Sequence, residues 1–204
     1  MMHTRLSKLF ITGCDKNTRW MLPWFESNFY KHNPDAKLHV FDFDVMGRGW
    51  FNKPVVMRLA ADMAEHVCWL DTDCEVRADL NPIFDFAEIN KLTMVEDAPW
   101  TMRRKETWHN SGVVAFRGIP RVLNHWADNA TMMVEDRGLM YGDQDILHEL
   151  VRDGLKRQIH ITTIPKQWNT LRLDLTDRTA PANIKIMHWT GKKGKDEIRK
   201  QIDE

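Results

Sequence analysis

The sequence predicts an α/β fold, a parallel sheet with helices packed on it. Two observations carry that expectation. In the first third of the chain, short apolar runs alternate with segments whose apolar residues recur at helical spacing, in the order strand, helix, strand, helix, strand. The 204 residues, 43% hydrophobic and 28% charged, suffice for one sizeable core in a soluble globular chain. No repeat or low-complexity linker justifies a domain cut, so residues 1–204 are read as a single domain.

The elements follow in order. Lys8 to Thr12 reads as a buried strand ending at Gly13. Asn17 or Thr18 caps a helix with apolar positions Trp20, Met21, Trp24, Phe25 and Phe29, unless Pro23 marks a later start. His32-Asn33-Pro34-Asp35 is a turn, Leu38 to Phe43 a second strand, and Gly47-Arg48-Gly49 a break. Pro54 then suits a first helical position, followed by a stripe of Val55, Val56, Leu59, Ala60, Met63 and Ala64. Val67 to Leu70 is the third strand. Lys91 to Val95 and Gly112 to Phe116 are further strands, with Asp97 to Asn110, rich in Trp, Arg and Lys, as a loop over one end of the sheet. Helices are expected from Pro120 to Glu135 and from Gln144 to Arg152, and short strands over Ile159–Ile161 and Ile184–Met187. The charged tail, Lys192 to Glu204, is either a docked helix or partly mobile.

Composition excludes several classes. A formal net charge of +0 gives no global field to recruit nucleic acid or an anionic membrane. Cys14, Cys68 and Cys74 are odd in number and lack metal-ligand spacing, which points to a reducing, cytoplasmic compartment. Neither a signal peptide nor a transmembrane segment is visible. Nine tryptophans are many for this length, and some are expected to line a cleft.

The chemistry starts at Asp71-Thr72-Asp73, where two carboxylates leave the third strand together. In an extended chain they would sit about 7 Å apart on one side, too far to share an ion unless the chain bends or a water intervenes. Hard oxygen ligands of this kind suit Mg²⁺ or Mn²⁺, and the carboxyl end of a strand is where open α/β sheets bind ligands. Taken alone, the triplet is equally well a turn with two solvated acids. Asp15-Lys16-Asn17, in the first strand-to-helix loop, can bond a base and ribose or merely cap a helix. Asn110-Ser111-Gly112 offers hydroxyl partners and close backbone approach, or an ordinary turn before a strand. Gly142-Asp143-Gln144-Asp145 carries more polar groups at a helix start than a cap requires. His188 ends an apolar strand and precedes Thr190-Gly191-Lys192-Lys193, so it can complete a coordination sphere while lysines balance a diphosphate. An imidazole beside carboxylates leans the ion from Mg²⁺ towards Mn²⁺.

In this order, Asp-x-Asp, Asn-x-Gly, Asp-Gln-Asp and His-x-x-Gly with lysines, the chain resembles glycosyltransferases of the GT-A fold. It is most similar to the retaining family eight, which includes glycogenin and bacterial lipooligosaccharide galactosyltransferases. The resemblance spans about Leu9 to Lys195, and Trp168-Asn169 fits the family's short segment ahead of the C-terminal His. It implies a GT-A, Rossmann-like nucleotide-diphospho-sugar transferase fold with a mostly parallel central sheet. It implies transfer of a hexose from a nucleotide sugar, UDP-glucose or UDP-galactose, with retention. Asp71, Asp73 and His188 would hold Mn²⁺, with Mg²⁺ as the other candidate, and Asp15 and Asn17 would contact the nucleotide. Lys53, Asn110, Asp143 and Gln144 would hold the donor sugar, with Asp143 or Gln144 nearest the reacting carbon. Ser111 and Gly112 complete that donor wall, and Gly191 with Lys192 or Lys195 would touch the diphosphate.

Three departures matter. Thr18 stands where the family often has an aromatic residue to stack on the base, and the nearest aromatic is Trp20. Lys192-Lys193-Gly194-Lys195 replaces the usual Lys-Pro-Trp that follows the final glycine. The chain is short for the family, as expected of a minimal catalytic core. The acceptor stays open among a glycan, a lipid-linked sugar, a protein and a modified nucleic acid, and so does the oligomeric state. The Trp100 to Trp108 loop, with Arg103, Arg104 and Lys105, either faces the acceptor or is a solvated loop. Two other classes remain as alternatives. One is a sugar-nucleotidyltransferase or other Mn/Mg-dependent nucleotide-processing enzyme on a similar sheet. The other is a non-catalytic sugar- or nucleotide-binding module, which would have no need of a bridging metal. A phosphatase of the Asp-x-Asp-x-Thr type is disfavoured by Glu75 at the Thr position.

Overall fold

The structure is a computed structural model that describes residues 5–47, 49–132 and 142–204. Strand β1 (Leu6–Cys14) leads through a 3-10 turn into α1 (Leu22–His32). Pro23 sits in the first turn of α1, so the helix starts after the Asn17-Thr18 segment, which forms its own tight turn. Strand β2 (Leu38–Asp42) passes into a single helical turn, α2 (Phe43–Met46), because Asp42 caps it by accepting from the Asp44 backbone N–H. Helix α3 (Lys53–Met63) and β3 (Ala64–Leu70) complete the alternating first third.

The buried stripe of α3 matches the expected one at Val56 and Ala60, with Ala64 just beyond the helix, and departs from it elsewhere. Leu59 and Met63 are exposed, while Lys53, Val56, Met57, Ala60 and Ala61 are buried. Both stripes have helical spacing, and the narrower Ala-rich one lets the helix sit close against the sheet. That rotation puts Lys53 on the inner face.

After β3 the chain turns at residues 71–73 into the short strand β4 (Cys74–Val76). Strand β5 (Leu92–Glu96) is followed by α4 (Ala98–Arg104), a helix where a loop was expected. Asp97 caps it by accepting from the Trp100 N–H, and Pro99 fits its first turn. Strand β6 (His109–Arg117) starts three residues earlier than expected, so Asn110-Ser111-Gly112 lies inside it. Helix α5 (Arg121–Met132) matches the expected segment as far as Met132; the rest of that prediction, to Glu135, lies outside the described residues, as does Arg48. Helix α6 (Asp143–Val151) is as expected within one residue.

Ile159 belongs to α7 (Gly154–His160), not to a strand, because Asp153 caps that helix by accepting from two backbone N–H groups. The strand β7 (Ile161–Ile164) follows it. Then come β8 (Thr170–Leu171), α8 (Arg172–Thr176) and β9 (Ile186–His188). The tail is the docked helix α9 (Gly191–Asp203), held by buried Ile198 and Gly194. A Cβ at Gly194 would lie 2.0 Å from the Trp189 carbonyl oxygen, so this close approach needs glycine.

The main sheet has the order β2-β1-β3-β6-β5-β7, and every strand is parallel to the others except β6. Alternate residues of β1 and β3 feed two cores. Ile11, Val67 and Trp69 pack under α3, α5 and α6, while Phe10, Cys68 and Leu70 pack with Phe25 and Phe29 of α1. A second sheet, β4-β9-β8, was not foreseen, since its strands are only two or three residues long. It clamps the end of β3 through antiparallel pairing of β4 with β9, which sets Cys74 opposite His188.

Candidate active site

The turn after β3 brings the two acids and the distant histidine together. Its backbone closes with the Cys74 N–H on the Asp71 carbonyl at 3.0 Å, so the pair is bent, not extended. The Cys74–His188 register and a Trp189 N–H bond to the Asp73 carbonyl, 2.9 Å, then carry the imidazole to the acids. His188 Nε2 lies 3.1 Å from Asp73 Oδ1 and 3.6 Å from Asp71 Oδ2. His188 is buried, which by itself would lower its pKa, but the Asp73 carboxylate outweighs burial and holds it above its usual value. Asp73 is correspondingly low: burial opposes its ionisation, and the His188 and Lys195 charges overcome that penalty.

Behind the imidazole sits a layer of amides. His188 Nδ1 is 3.1 Å from both Asn110 Oδ1 and Asn169 Oδ1. An Nδ1–H donated to these oxygens leaves Nε2 directed at the acids, the tautomer a metal-ligating His requires. Asn110 Oδ1 also accepts from the Gly112 N–H and from Asn169 Nδ2, both at 2.9 Å. Its amide nitrogen donates to Asp97 Oδ2 and to Gln144 Oε1. Asn110 therefore uses its side chain on protein partners. Gly112 is required here by space: a Cβ would lie 2.0 Å from His188 Cε1.

Lys53 forms the second charged cluster. Its ammonium is 2.9 Å from Asp71 Oδ1 and 3.2 Å from Asp143 Oδ2, and donates to the carbonyl and hydroxyl oxygens of Ser111. Burial disfavours the cation, yet the two carboxylates hold its pKa above the ordinary lysine value. Trp69 Nε1 donates to Asp71 Oδ1 at 2.7 Å, and Ser111 Oγ to Asp143 Oδ2 at 2.9 Å. Burial keeps the Asp143 carboxyl above its usual range against the pull of Lys53, and the nearby Asp71 charge adds to it.

The acids and lysines share one cleft of about 180 Å³ at the carboxyl ends of β1 and β3, lined by Asp15, Lys53, Asp71, Asp73, Asp143 and Lys195 among others. Asp15 is on its wall, but one carboxylate oxygen serves the turn by accepting from the Asn17 and Thr18 N–H groups, so the capping reading holds as well. Asn17 is exposed and bonds back to Asp15, and it does not line the cleft. Of the C-terminal lysines, Lys195 lines the cleft, whereas Lys192 is exposed and does not. Gly191 takes a left-handed φ of +72° at the start of α9. Gln144 stands behind, its Oε1 accepting from the Ser111 N–H and its Nε2 donating to Asp97 Oδ2.

Three residues were missed from sequence. Trp50, 60% exposed, lines the cleft where a base-stacking aromatic was sought near Thr18. Asp97 is buried, with a carboxyl that burial holds above the usual range, and it organises Asn110 and Gln144. Cys74 lies with Asp73 and His188 in one potential ligand cluster. Burial pushes its thiol well above the usual range, so a hard cation would not find a thiolate there.

The sequence matches no family model and no curated protein. Solved structures do match. The galactosyltransferase LgtC, in complex with donor and acceptor sugar analogs, superimposes with a TM-score of 0.62 at 16% identity, over 90% of this chain and 87% of that one. A structure of an active-site glutamine-to-glutamate mutant of LgtC gives 0.65 at 14% identity, over 96% and 95%. A glycosyltransferase involved in glycosylation of the major capsid of PBCV-1 gives 0.66 at 13% identity, over 97% of this chain and 100% of that one. Mouse xyloside xylosyltransferase 1 gives 0.56 at 12% identity, over 91% and 97%. The chain thus carries the GT-A fold of these glycosyltransferases.

Proposed function

We propose that this protein is a metal-dependent glycosyltransferase that moves a hexose from a UDP-sugar, UDP-glucose or UDP-galactose, to an acceptor with retention. The observation that supports it most is a cleft lined by Asp71, Asp73 and two lysines, with buried His188 in contact with Asp73, on a fold shared with galactosyl- and xylosyltransferases. Two carboxylates and a neutral imidazole fit Mn²⁺ or Mg²⁺, and the amides on His188 Nδ1 keep the other nitrogen available. When bound, the cation supplies Lewis-acid stabilisation of the departing diphosphate.

The chain's own residues do the rest. Lys53 holds Asp71 and Asp143 in place, and Lys195 faces the cleft where negative charge grows on the leaving group. Asp143 borders the donor cleft and Gln144 the space behind it, which suits them to the face of the sugar opposite the nucleotide. A glutamine is named as an active-site residue in LgtC, and Gln144 is the glutamine of this site. Asp15 on the cleft wall remains a nucleotide contact, and Trp50 offers a flat face to the base. Retention follows from the family resemblance.

The experiment is a donor-turnover assay with nucleotide sugars and Mn²⁺. Free or transferred sugar plus nucleoside diphosphate supports the reading. Pyrophosphate with a nucleoside monophosphate joined to sugar would instead make the chain a nucleotidyltransferase.

A further inference from the structure

Consecutive residues at the start of α6 line two hollows, Asp143 the first and Gln144 with Asp145 the second. The first is the cleft of Asp71, Asp73 and Asp143. The second is a hollow of about 220 Å³ lined by Trp100, Arg104, Trp108, Gln144 and Asp145. It adjoins a more polar one of about 290 Å³ along Glu106, His148 and Arg152. Trp100 is 40% exposed, and its ring centroid is 6.4 Å from that of Trp108, with the planes tilted 36°. Trp108 is braced from behind: His148 stacks on it at 3.7 Å and 8°, and Glu106 fixes the His148 ring at 3.1 Å. Arg104 lies 4.9 Å over Trp100 and has no carboxylate partner among the described residues.

We propose that this second hollow is the acceptor subsite and that it takes a carbohydrate, a sugar ring resting on Trp100 and Trp108; this rests on the function proposed above. Aromatic faces carry negative potential, and the C–H groups of a sugar ring carry the complementary positive one. Around them stand a donor-only guanidinium (Arg104), an acceptor-only carboxylate (Asp145) and an amide with both (Gln144), the mix that hydroxyl groups can satisfy. A nucleic-acid strand fits less well. Glu106, Asp145 and Glu149 interleave with Arg104 and Arg152, so a phosphate backbone would meet carboxylates along its path. In the transfer, the acceptor hydroxyl oxygen bonds the donor anomeric carbon. The bond from that carbon to the diphosphate breaks with its electron pair, and the hydroxyl proton leaves on the diphosphate.

The test uses the full chain with Mn²⁺ and radiolabelled UDP-glucose or UDP-galactose over arrays of glycans, peptides and single-stranded RNA. The expected result is label on a class of glycans. Trp100→Ala then raises the acceptor KM at least tenfold with the donor KM within twofold, Trp100→Phe recovers most of the loss, and Arg104→Ala behaves like Trp100→Ala. Melting curves check that each variant is folded. Label confined to peptide or RNA, no labelled acceptor while donor is hydrolysed, or an unchanged acceptor KM in both variants overturns the proposal. If no donor is turned over, the transferase reading fails separately, and glycan-array binding read without donor decides the subsite. Binding lost in Trp100→Ala upholds a carbohydrate site, and its absence in the parent chain removes it.

Discussion

His188 Nε2 lies 3.1 Å from Asp73 Oδ1, although 114 residues separate the two in sequence. The short β4–β9 pairing makes that contact, because it sets Cys74 opposite His188 and so places the imidazole beside the preceding acid. Asp73→Asn keeps the shape and removes the charge. Mn²⁺-dependent donor turnover should fall ~10³-fold or more, with cooperative unfolding retained. Undiminished turnover in that variant would sink the metal assignment.

The first third of the fold was legible because β1, α3 and β3 carry regular periods, and the strands that face both cores are continuous apolar runs. That Asp71, Asp73, Asn110, Asp143, Gln144 and His188 gather in one place was legible because they stand at or near strand and helix ends as polar groups. What could not be read was the sharing of partners. Asn110 was expected to meet a sugar, and its amide also bonds His188, Asn169, Asp97 and Gln144, contacts drawn from four separate stretches of the chain. The stripe of α3 was assigned only in part, at Val56, Ala60 and Ala64, because neighbouring faces share the helical period and only packing against the sheet chooses between them. Helix α4 was hidden in a stretch whose aromatic and basic composition reads as loop, and a single capping carboxylate, Asp97, organises it.

Gly112 is under the imidazole. Gly112→Ala would put a methyl group 2.0 Å from His188 Cε1 and 2.9 Å from Asn110 Oδ1, both braced by neighbours. The strain should cost about 1–3 kcal/mol of stability. Displacement of the ring should weaken Mn²⁺ binding by ~10-fold or more, read by calorimetric titration. A variant that binds Mn²⁺ like the parent would show that His188 is not a ligand.

Asn169 acts through His188. Asn169→Ala removes one of the two oxygens facing Nδ1 and should lower Mn²⁺ affinity roughly 10–100-fold, with the Asp15 turn unchanged. Asn169→Asp, which keeps an acceptor for Nδ1–H, should recover much of the loss. Equal affinity in both variants would assign Asn169 to packing alone.

Buried Lys53 stands between buried Asp143 and half-buried Asp71. Lys53→Met leaves Asp71 and Asp143 facing each other without a cation and should destabilise the metal-free protein by about 3–5 kcal/mol. Asp143→Asn added to Lys53→Met should return part of that stability in a denaturant titration, because one of the two orphaned charges is gone. An additive double variant would contradict the coupling.

His109 gives an acid-side signature. Burial lowers its pKa to about 4, its Nε2 is 2.8 Å from Thr163 Oγ1, and its Nδ1 has no partner among the described residues. Between pH 6.5 and 4 the unfolded chain binds this proton and the folded chain does not. Stability should therefore fall as pH drops through that window, by up to about 3 kcal/mol from this group. The difference in slope between the parent and His109→Gln isolates it, and identical slopes would contradict it.

The most direct measurement is a thermal-shift titration of UDP-glucose and UDP-galactose with Mn²⁺ or with EDTA, on the parent and on Asp73→Asn. At least one donor should raise the melting temperature of the parent only when Mn²⁺ is present, and should not do so in Asp73→Asn. Stabilisation of equal size in EDTA, or no stabilisation by either donor with Mn²⁺, would contradict it.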